Sequence, residues 1–306
     1  MTTAARNEHV IEAEHLRCVY GEFTAVDDVS FAVRRGELYA LLGTNGAGKT
    51  TTLETLEGHR RPASGTVRVM DADPGDRQAA RPRMGIMLQE SGFAADLTVA
   101  ETLRLMGRLS GRSDDAGILL ERVGLASKHD VRVGQLSGGE KRRLDFATAV
   151  YGRPELVFLD EPTTALDPAA REALWDHVTD LRADGVTVVL TTHYLEEAEQ
   201  HADRIGMMHR GTLHHEGTLP ELVAAFPSTI EFDIPRTSAP LPLEVTDVRG
   251  EQVSVRTEHL QRDLYRLLGW AAEHRVHLDH LQARSSSLAD VFCELAADTA
   301  PTQEES

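Results

Sequence analysis

The sequence predicts an α/β fold followed by a small α+β domain. Three stretches carry that reading. "GELYALLGTNGAGKT", residues 36–50, runs from an apolar strand through a glycine-rich loop into a helix. "ELVFLDE", residues 155–161, is a second apolar strand, closed by two acids, and "GVTVVLTTH", residues 185–193, is a third. Short apolar strands alternating with amphipathic helical segments are the pattern of an α/β domain.

The elements follow in order. "TTLETLEG" is the helix after the loop, with Leu53 and Leu56 on one face and Gly58 as its stop. Residues 91–150 read as mostly helical, an insert in the α/β frame. Within them Thr98 is followed by Glu101, a capping box, and Val99, Leu103, Met106 and Leu109 recur at helical spacing. "REALWDHVTDLRADG" places Leu174, Val178 and Leu181 inward. A boundary follows "LPELVAAFPST", giving a main domain over 1–226, an accessory domain over 228–298 and a flexible tail over 299–306. In the accessory domain "TIEFDI" alternates with period two and "LEVTDVRGEQVSVRT" gives two strands around Gly250. There "EHLQRDLYRLLGWAAEHR" is a helix on Leu260, Leu264, Leu267 and Ala271, and "SSLADVFCELAAD" is a last helix with serine at its start.

Composition sets limits. Of 306 residues 41% are hydrophobic, enough for a packed core. No apolar run is long enough to cross a bilayer, and the first residues have no apolar core segment, so no signal peptide is expected. The chain is expected in the cytosol, with Cys18 and Cys293 as free thiols. A formal net charge of −17 argues against a duplex-binding surface, so no nucleic-acid partner is expected. It does not argue against a nucleotide, because charges are screened over about 8 Å at physiological salt.

Gly43, Gly46, Gly48, Lys49 and Thr50 match G-x-x-x-x-G-K-[ST]. The glycines let consecutive backbone N–H groups point at a phosphate, and the helix adds its positive end. Lys49 is a cation for the β and γ phosphates, and the Thr50 hydroxyl is placed for Mg²⁺. Asp160, at the end of its strand, is where such an ATPase holds Mg²⁺, and Glu161 is placed to act as general base toward the attacking water. The loop alone leaves kinases, GTPases, helicases and transport ATPases open. The histidine pairs His214–His215 and His277 with His280 lack accompanying ligands at metal spacing.

"QLSGGEKRRLDFATAV", residues 135–150, separates these classes. Ser137, Gly138 and Gly139 open a helix and form a second phosphate-binding cap. The stretch resembles the signature motif of the ATP-binding cassette family, and the resemblance runs nearly motif by motif over residues 1–226. It implies a RecA-like P-loop ATPase core with a helical insert, and a signature cap that contacts the γ-phosphate held by another subunit. It implies ATP and Mg²⁺ as cofactors. The nucleotide contacts it implies are Gly43, Thr44, Asn45, Gly46, Ala47, Gly48, Lys49, Thr50 and Thr51, together with Tyr20 against adenine. Gln89 is implied at the metal or water with Thr50 and Asp160, Asp167 faces the dimer partner, and His193 senses the γ-phosphate beside Glu161. Thr44 stands where the family more often has proline, and Asp145 where apolar residues are common. Lys141, Arg142 and Arg143 read as a solvated charge cluster.

One copy of each motif and no long coiled coil favour a transport ATPase over a soluble cassette protein acting on ribosomes or DNA. The resemblance implies an integral membrane permease as partner, a second copy of this chain as dimer mate, and a place on the cytoplasmic face of the cell membrane. "LTTHYLEEAEQHADRIGMMHRGTLHHEGTLPEL" and "SLADVFCELA" resemble the ATPases of bacterial drug- and antibiotic-resistance exporters.

Overall fold

The computed structural model describes residues 8–89, 92–164, 166–234 and 240–297. The expected tail over 299–306 lies outside them. The chain divides into two compact units, Met1–Glu216 and Gly217–Ser306. In the first the order is β1 (His9–Tyr20), β2 (Phe23–Arg34), β3 (Leu38–Gly43), α1 (Lys49–Leu56), β4 (Ser64–Val69), α2 (Arg77–Ala80), β5 (Met84–Met87), α3 (Val99–Leu109), α4 (Ala116–Arg122), α5 (Gly138–Val150), β6 (Leu156–Asp160), α6 (Pro168–Ala183), β7 (Thr187–Thr192), α7 (Leu195–His201), β8 (Arg204–His209) and β9 (Thr212–Gly217).

Among the described residues a six-stranded sheet runs in the order β5-β6-β7-β3-β8-β9, with β5, β6, β7, β3 and β8 paired in parallel. Strands β3, β6 and β7 are buried at every position, as parallel strands covered on both faces must be. A three-stranded antiparallel sheet, β2-β1-β4, shares their core. Phe31 of β2 stacks on Tyr39 of β3 with ring centroids 5.3 Å apart. Helix α1 touches strands of both sheets. Its Leu53 and Leu56 are at most 1% exposed, each contributing about 1.5–3 kcal/mol by burial.

The helical insert begins as the sequence predicts. Thr98 and Glu101 form the reciprocal capping box, and Val99 and Leu103 are buried. Leu109 is instead 65% exposed. Gly107 takes the inner place, because a Cβ there would lie 2.3 Å from the Tyr151 ring. Arg112 donates to the carbonyls of Ala149 and Thr148, satisfying acceptors that the end of α5 leaves unpaired.

The second unit contains α8 (Leu219–Ala224), β10 (Ser228–Asp233), β11 (Asp247–Arg249), β12 (Gln252–Thr257), α9 (Leu260–His274), β13 (Asp279–Arg284) and α10 (Leu288–Ala297). Its sheet has the order β11-β12-β10-β13, and Ile230, Phe232, Val253, Val255, Leu267 and Trp270 fill its core. The unit starts before the boundary that composition suggests after Phe226, since α8 packs with α10 and the Ser286 hydroxyl donates to the carbonyls of Val223 and Phe226. No helix among the described residues is long and apolar enough to cross a membrane.

Gly85 of β5 lets α5 lie against the sheet: a Cβ there would sit 2.0 Å from the Ala149 carbonyl oxygen. Gly85→Ala is expected to cost about 1–3 kcal/mol of stability, the usual range for overpacking. Denaturant unfolding checks this, and an unchanged midpoint would show that α5 can retreat without loss.

Candidate active site

The glycine loop leaves β3 at Gly43 and enters α1 at Lys49. Gly46 and Gly48 have φ of 79° and 98°, left-handed values that disfavour side chains. A Cβ on Gly48 would also lie 2.5 Å from the Ala25 carbonyl oxygen. Ala47 is buried, Thr44 half-buried and Asn45 exposed. Lys49 is 6% exposed, and its Nζ donates to the carbonyls of Gly43 at 2.8 Å and Thr44 at 3.3 Å. Burial lowers its pKa, and the charges of Glu161 and Asp160 oppose that.

Tyr20 ends β1 and is 44% exposed. Its hydroxyl lies 3.2 Å from that of Thr51 and donates to Glu54 Oε2 at 3.4 Å. Sequence reasoning missed its neighbour Arg60, whose guanidinium lies 3.9 Å from the centre of the Tyr20 ring and whose Nε donates to Glu54. A cation over one ring face is attracted by the ring's quadrupole, which holds the Arg60 and Tyr20 side chains against each other.

The acids stand at the end of β6. Asp160 is 5% exposed and accepts a hydrogen bond from the Thr191 hydroxyl. Burial raises its pKa; the Thr191 bond, Lys49 and Arg142 work the other way. Glu161 has φ of 46°, a left-handed conformation rarely held by a residue with a side chain. Its N–H donates to the backbone oxygen of Thr191 at 3.1 Å and to that residue's hydroxyl at 3.2 Å. Its carboxylate meets His193 Nδ1 at 3.4 Å, the Gln89 amide at 3.3 Å and the Thr164 hydroxyl at 3.4 Å. The structure thus brings Glu161, Gln89 and His193 together from the ends of three strands. Thr191 and Thr164 were not picked out from the sequence, although Thr191 lies two residues before His193.

Thr50, Gln89 and Asp160 line one cavity of about 290 Å³ with Leu53, Glu54, Glu57 and Leu88. A hydroxyl, an amide oxygen and a buried carboxylate are hard oxygen donors, a set that suits Mg²⁺.

Ser137 and Asp167 do not line this cavity. Each is an exposed helix N-cap: Ser137 accepts from the Glu140 N–H and Asp167 from the Ala170 N–H. Ser137 and Glu140 close a second reciprocal capping box, which the S-x-x-E spacing could have revealed. Gly138 and Gly139 form the first turn of α5 with their N–H groups at its positive end.

The charge cluster after them is not solvated as a whole. Lys141 and Arg143 are partly exposed, but Arg142 is 7% exposed. The reason is periodicity: successive helical residues point about 100° apart, and Arg142 falls on the face of α5 that meets the strand ends.

The sequence profile of the family described as "ABC transporter" matches residues 26–164, and that of "ABC transporter domain-containing protein-like, C-terminal domain" matches residues 228–287. The chain is 39% identical over 305 residues to a protein named Nod factor export ATP-binding protein I of Paraburkholderia xenovorans (strain LB400), covering 94% of this chain and 97% of the relative. A protein of the same name from Burkholderia lata is 37% identical over 292 residues, covering 90% and 93%. Among solved structures, an ATP-binding subunit of an ABC transporter matches with a TM-score of 0.65 and 30% identity, covering 70% of this chain and 91% of that one. A dimeric ATP-binding cassette bound to ADP and Pi matches with a TM-score of 0.63 and 25% identity, covering 68% and 98%.

Because burial raises the Asp160 pKa, the folded chain binds that proton more tightly than the unfolded chain. Stability tied to the protonated form is present at low pH and lost as pH rises from the ordinary value of 3.8 through the raised one. Asp160→Asn is therefore expected to raise the melting temperature of the nucleotide-free chain at pH 7, with the gain shrinking toward pH 3.8. A lower melting temperature at pH 7 would show that the charge at Asp160 supports the fold.

Proposed function

The chain belongs to the ATP-binding cassette (ABC) transporter family, and on that premise we propose that it is the ATP-hydrolysing subunit of a membrane exporter. The carrying observation is the length of the likeness, which extends through the C-terminal unit to relatives named as export ATP-binding proteins. ATP binding and hydrolysis are properties of the family.

The site residues divide the work as follows. Tyr20 offers its ring to the adenine. The loop from Gly43 to Thr51 offers backbone N–H groups to the phosphates, and Lys49 exchanges its bonds to the Gly43 and Thr44 carbonyls for phosphate oxygens. Thr50, Asp160 and Gln89 would hold Mg²⁺, which when bound neutralises charge on the phosphate oxygens. Glu161 takes the proton of the attacking water, and His193 and Gln89, already against its carboxylate, fix its direction.

Ser137, Gly138, Gly139 and Asp167 act in the partner subunit's site. The exposure of Ser137, Gly138 and Asp167 supports this, as does the absence of all four residues from the lining of the cavity that Thr50, Gln89 and Asp160 share. Two copies then close head to tail as a twofold dimer with each signature cap over the other's ATP. A chain without a membrane-spanning helix among its described residues needs a separate permease subunit to move cargo, and it would act at the cytoplasmic face of the membrane. Resemblance to resistance ATPases implies a drug or antibiotic as cargo. The relatives are named for Nod factor, so what the two sources share is the direction of transport.

Glu161→Gln keeps size and removes the base. With the membrane subunit co-purified, it is expected to bind ATP while turnover falls by about 10²–10⁴, roughly 3–5 kcal/mol of barrier. ATP-driven transport into inverted membrane vesicles should be lost with it. Near-normal turnover would remove the role assigned to Glu161. Recovery of the chain on ribosomes or DNA, with no permease, would favour the soluble alternative.

The two-chain site has its own test. Lys49→Ala and Ser137→Arg homodimers each carry two damaged sites, whereas a mixed dimer carries one doubly damaged and one intact site. Mixing the two inactive variants should restore part of the ATPase activity, with subunit exchange followed by pulling down one tag and detecting the other. Excess double variant should suppress wild-type activity. Exchange without either effect would overturn the self-paired site.

A further inference from the structure

The guanidinium of Arg142 is enclosed where three functional segments meet. Its Nε donates to the Pro162 carbonyl at 3.1 Å. One terminal nitrogen donates to the carbonyls of Leu88 at 2.8 Å and Gln89 at 3.1 Å. The other donates to those of Asp160 at 2.8 Å and Glu161 at 2.6 Å. A guanidinium has five N–H donors in a rigid fork, so every donor is used, and each meets a backbone oxygen.

The places of those oxygens give the arrangement its meaning. Leu88 and Gln89 lead from β5 into the helical insert, and Asp160, Glu161 and Pro162 are the end of β6 and the turn after it. Arg142 itself rides on α5, one turn beyond the Ser137 cap. The Glu161 peptide is held on both sides: Thr191 accepts its N–H and Arg142 binds its carbonyl. A left-handed backbone at a residue with a side chain persists only when its surroundings over-determine it, and these bonds do so.

A buried cation also needs a countercharge. Asp145 stands one helical turn along α5, where it is 6% exposed. Burial lowers the Arg142 pKa, and Asp145 is the strongest of the charges that oppose the fall, followed by Asp160 and Glu161.

We infer that Arg142 is a positioning residue for hydrolysis: it fixes the Glu161 backbone and the Gln89 loop to the signature helix, so that the general base and the signature cap shift as one body. The inference rests on the reading of Glu161 as base. Lysine carries the charge but only three donors and no planar fork, so Arg142→Lys releases part of the grip.

The test uses the full-length chain. Arg142→Lys is expected to lower kcat by about ten- to a hundredfold, the scale of an ångström-sized misplacement at a catalytic group. The KM for ATP and the affinity for a fluorescent ATP analogue should stay near wild type. In a double-variant cycle, adding Arg142→Lys to Glu161→Gln should cost no further turnover, because the group through which Arg142 acts is already lost. A purely structural role would instead lower affinity and subtract independently. If Arg142→Lys does not fold, Arg142→Gln combined with Asp145→Asn removes both buried charges together and leaves neither uncompensated. The same kcat loss at unchanged KM is expected of it. Wild-type kcat in either variant beside an inactive Glu161→Gln overturns the inference alone, as does an additive loss in the cycle. Near-normal turnover in Glu161→Gln overturns the reading of the base and the inference with it.

Discussion

Thr191 joins the pieces on which the candidate site depends. Its backbone pairs with Leu41 of β3 on one side and Asp160 of β6 on the other. Its hydroxyl donates to the Asp160 carboxylate and, with its own carbonyl, accepts the Glu161 N–H. Parallel strands end on the same edge of a sheet, so the residues that follow β3, β5, β6 and β7 emerge side by side. That edge assembles the glycine loop, an amide at Gln89, two acids and His193, although they are distant in sequence. Thr191 is wholly buried, so its bonds are shielded from competing water.

The same region concentrates what is costly. Lys49, Arg142 and Asp160 are all under 8% exposed, and burial shifts each toward its neutral form. Their mutual attraction and their bonds to backbone oxygens offset much of that cost. Glu161 adds a left-handed backbone. The apolar strands around it, fully buried from Leu156 to Leu159 and from Val188 to Leu190, supply the stability that lets such a site persist.

Particular residues show how much could be read beforehand. The glycine loop, the Asp160–Glu161 pair and the Thr98 capping box depend on neighbours within a few positions, and their spacing is their geometry. Strands β1, β2 and β4 were less legible. The β1–β2 pairing contains register shifts, and His15 and Asp28 adopt positive φ, so the period-two alternation breaks where a reader would seek it. The start of the second unit was also hidden. Helix α8 looks like the end of the first domain by composition, and only its packing with α10 assigns it. The residues expected at the nucleotide separate into a connected group around Glu161 and the exposed caps at Ser137 and Asp167, but the contacts that join Glu161 to Gln89 and His193 cross between strands and are not encoded in any one motif.

By itself the sequence determined the glycine loop, the acid pair, the Ser137 helix cap and the strands that carry them, because each is encoded by residue types at short, fixed spacing. The tertiary structure decided which member of Lys141, Arg142 and Arg143 is buried, and why Glu161 can hold its conformation. The physical reason is that helical periodicity distributes those three cations around α5 without saying which face will be covered. That choice follows only from the close approach that Gly85 allows between α5 and β5, and from the carbonyl oxygens of distant segments gathered within reach of one guanidinium.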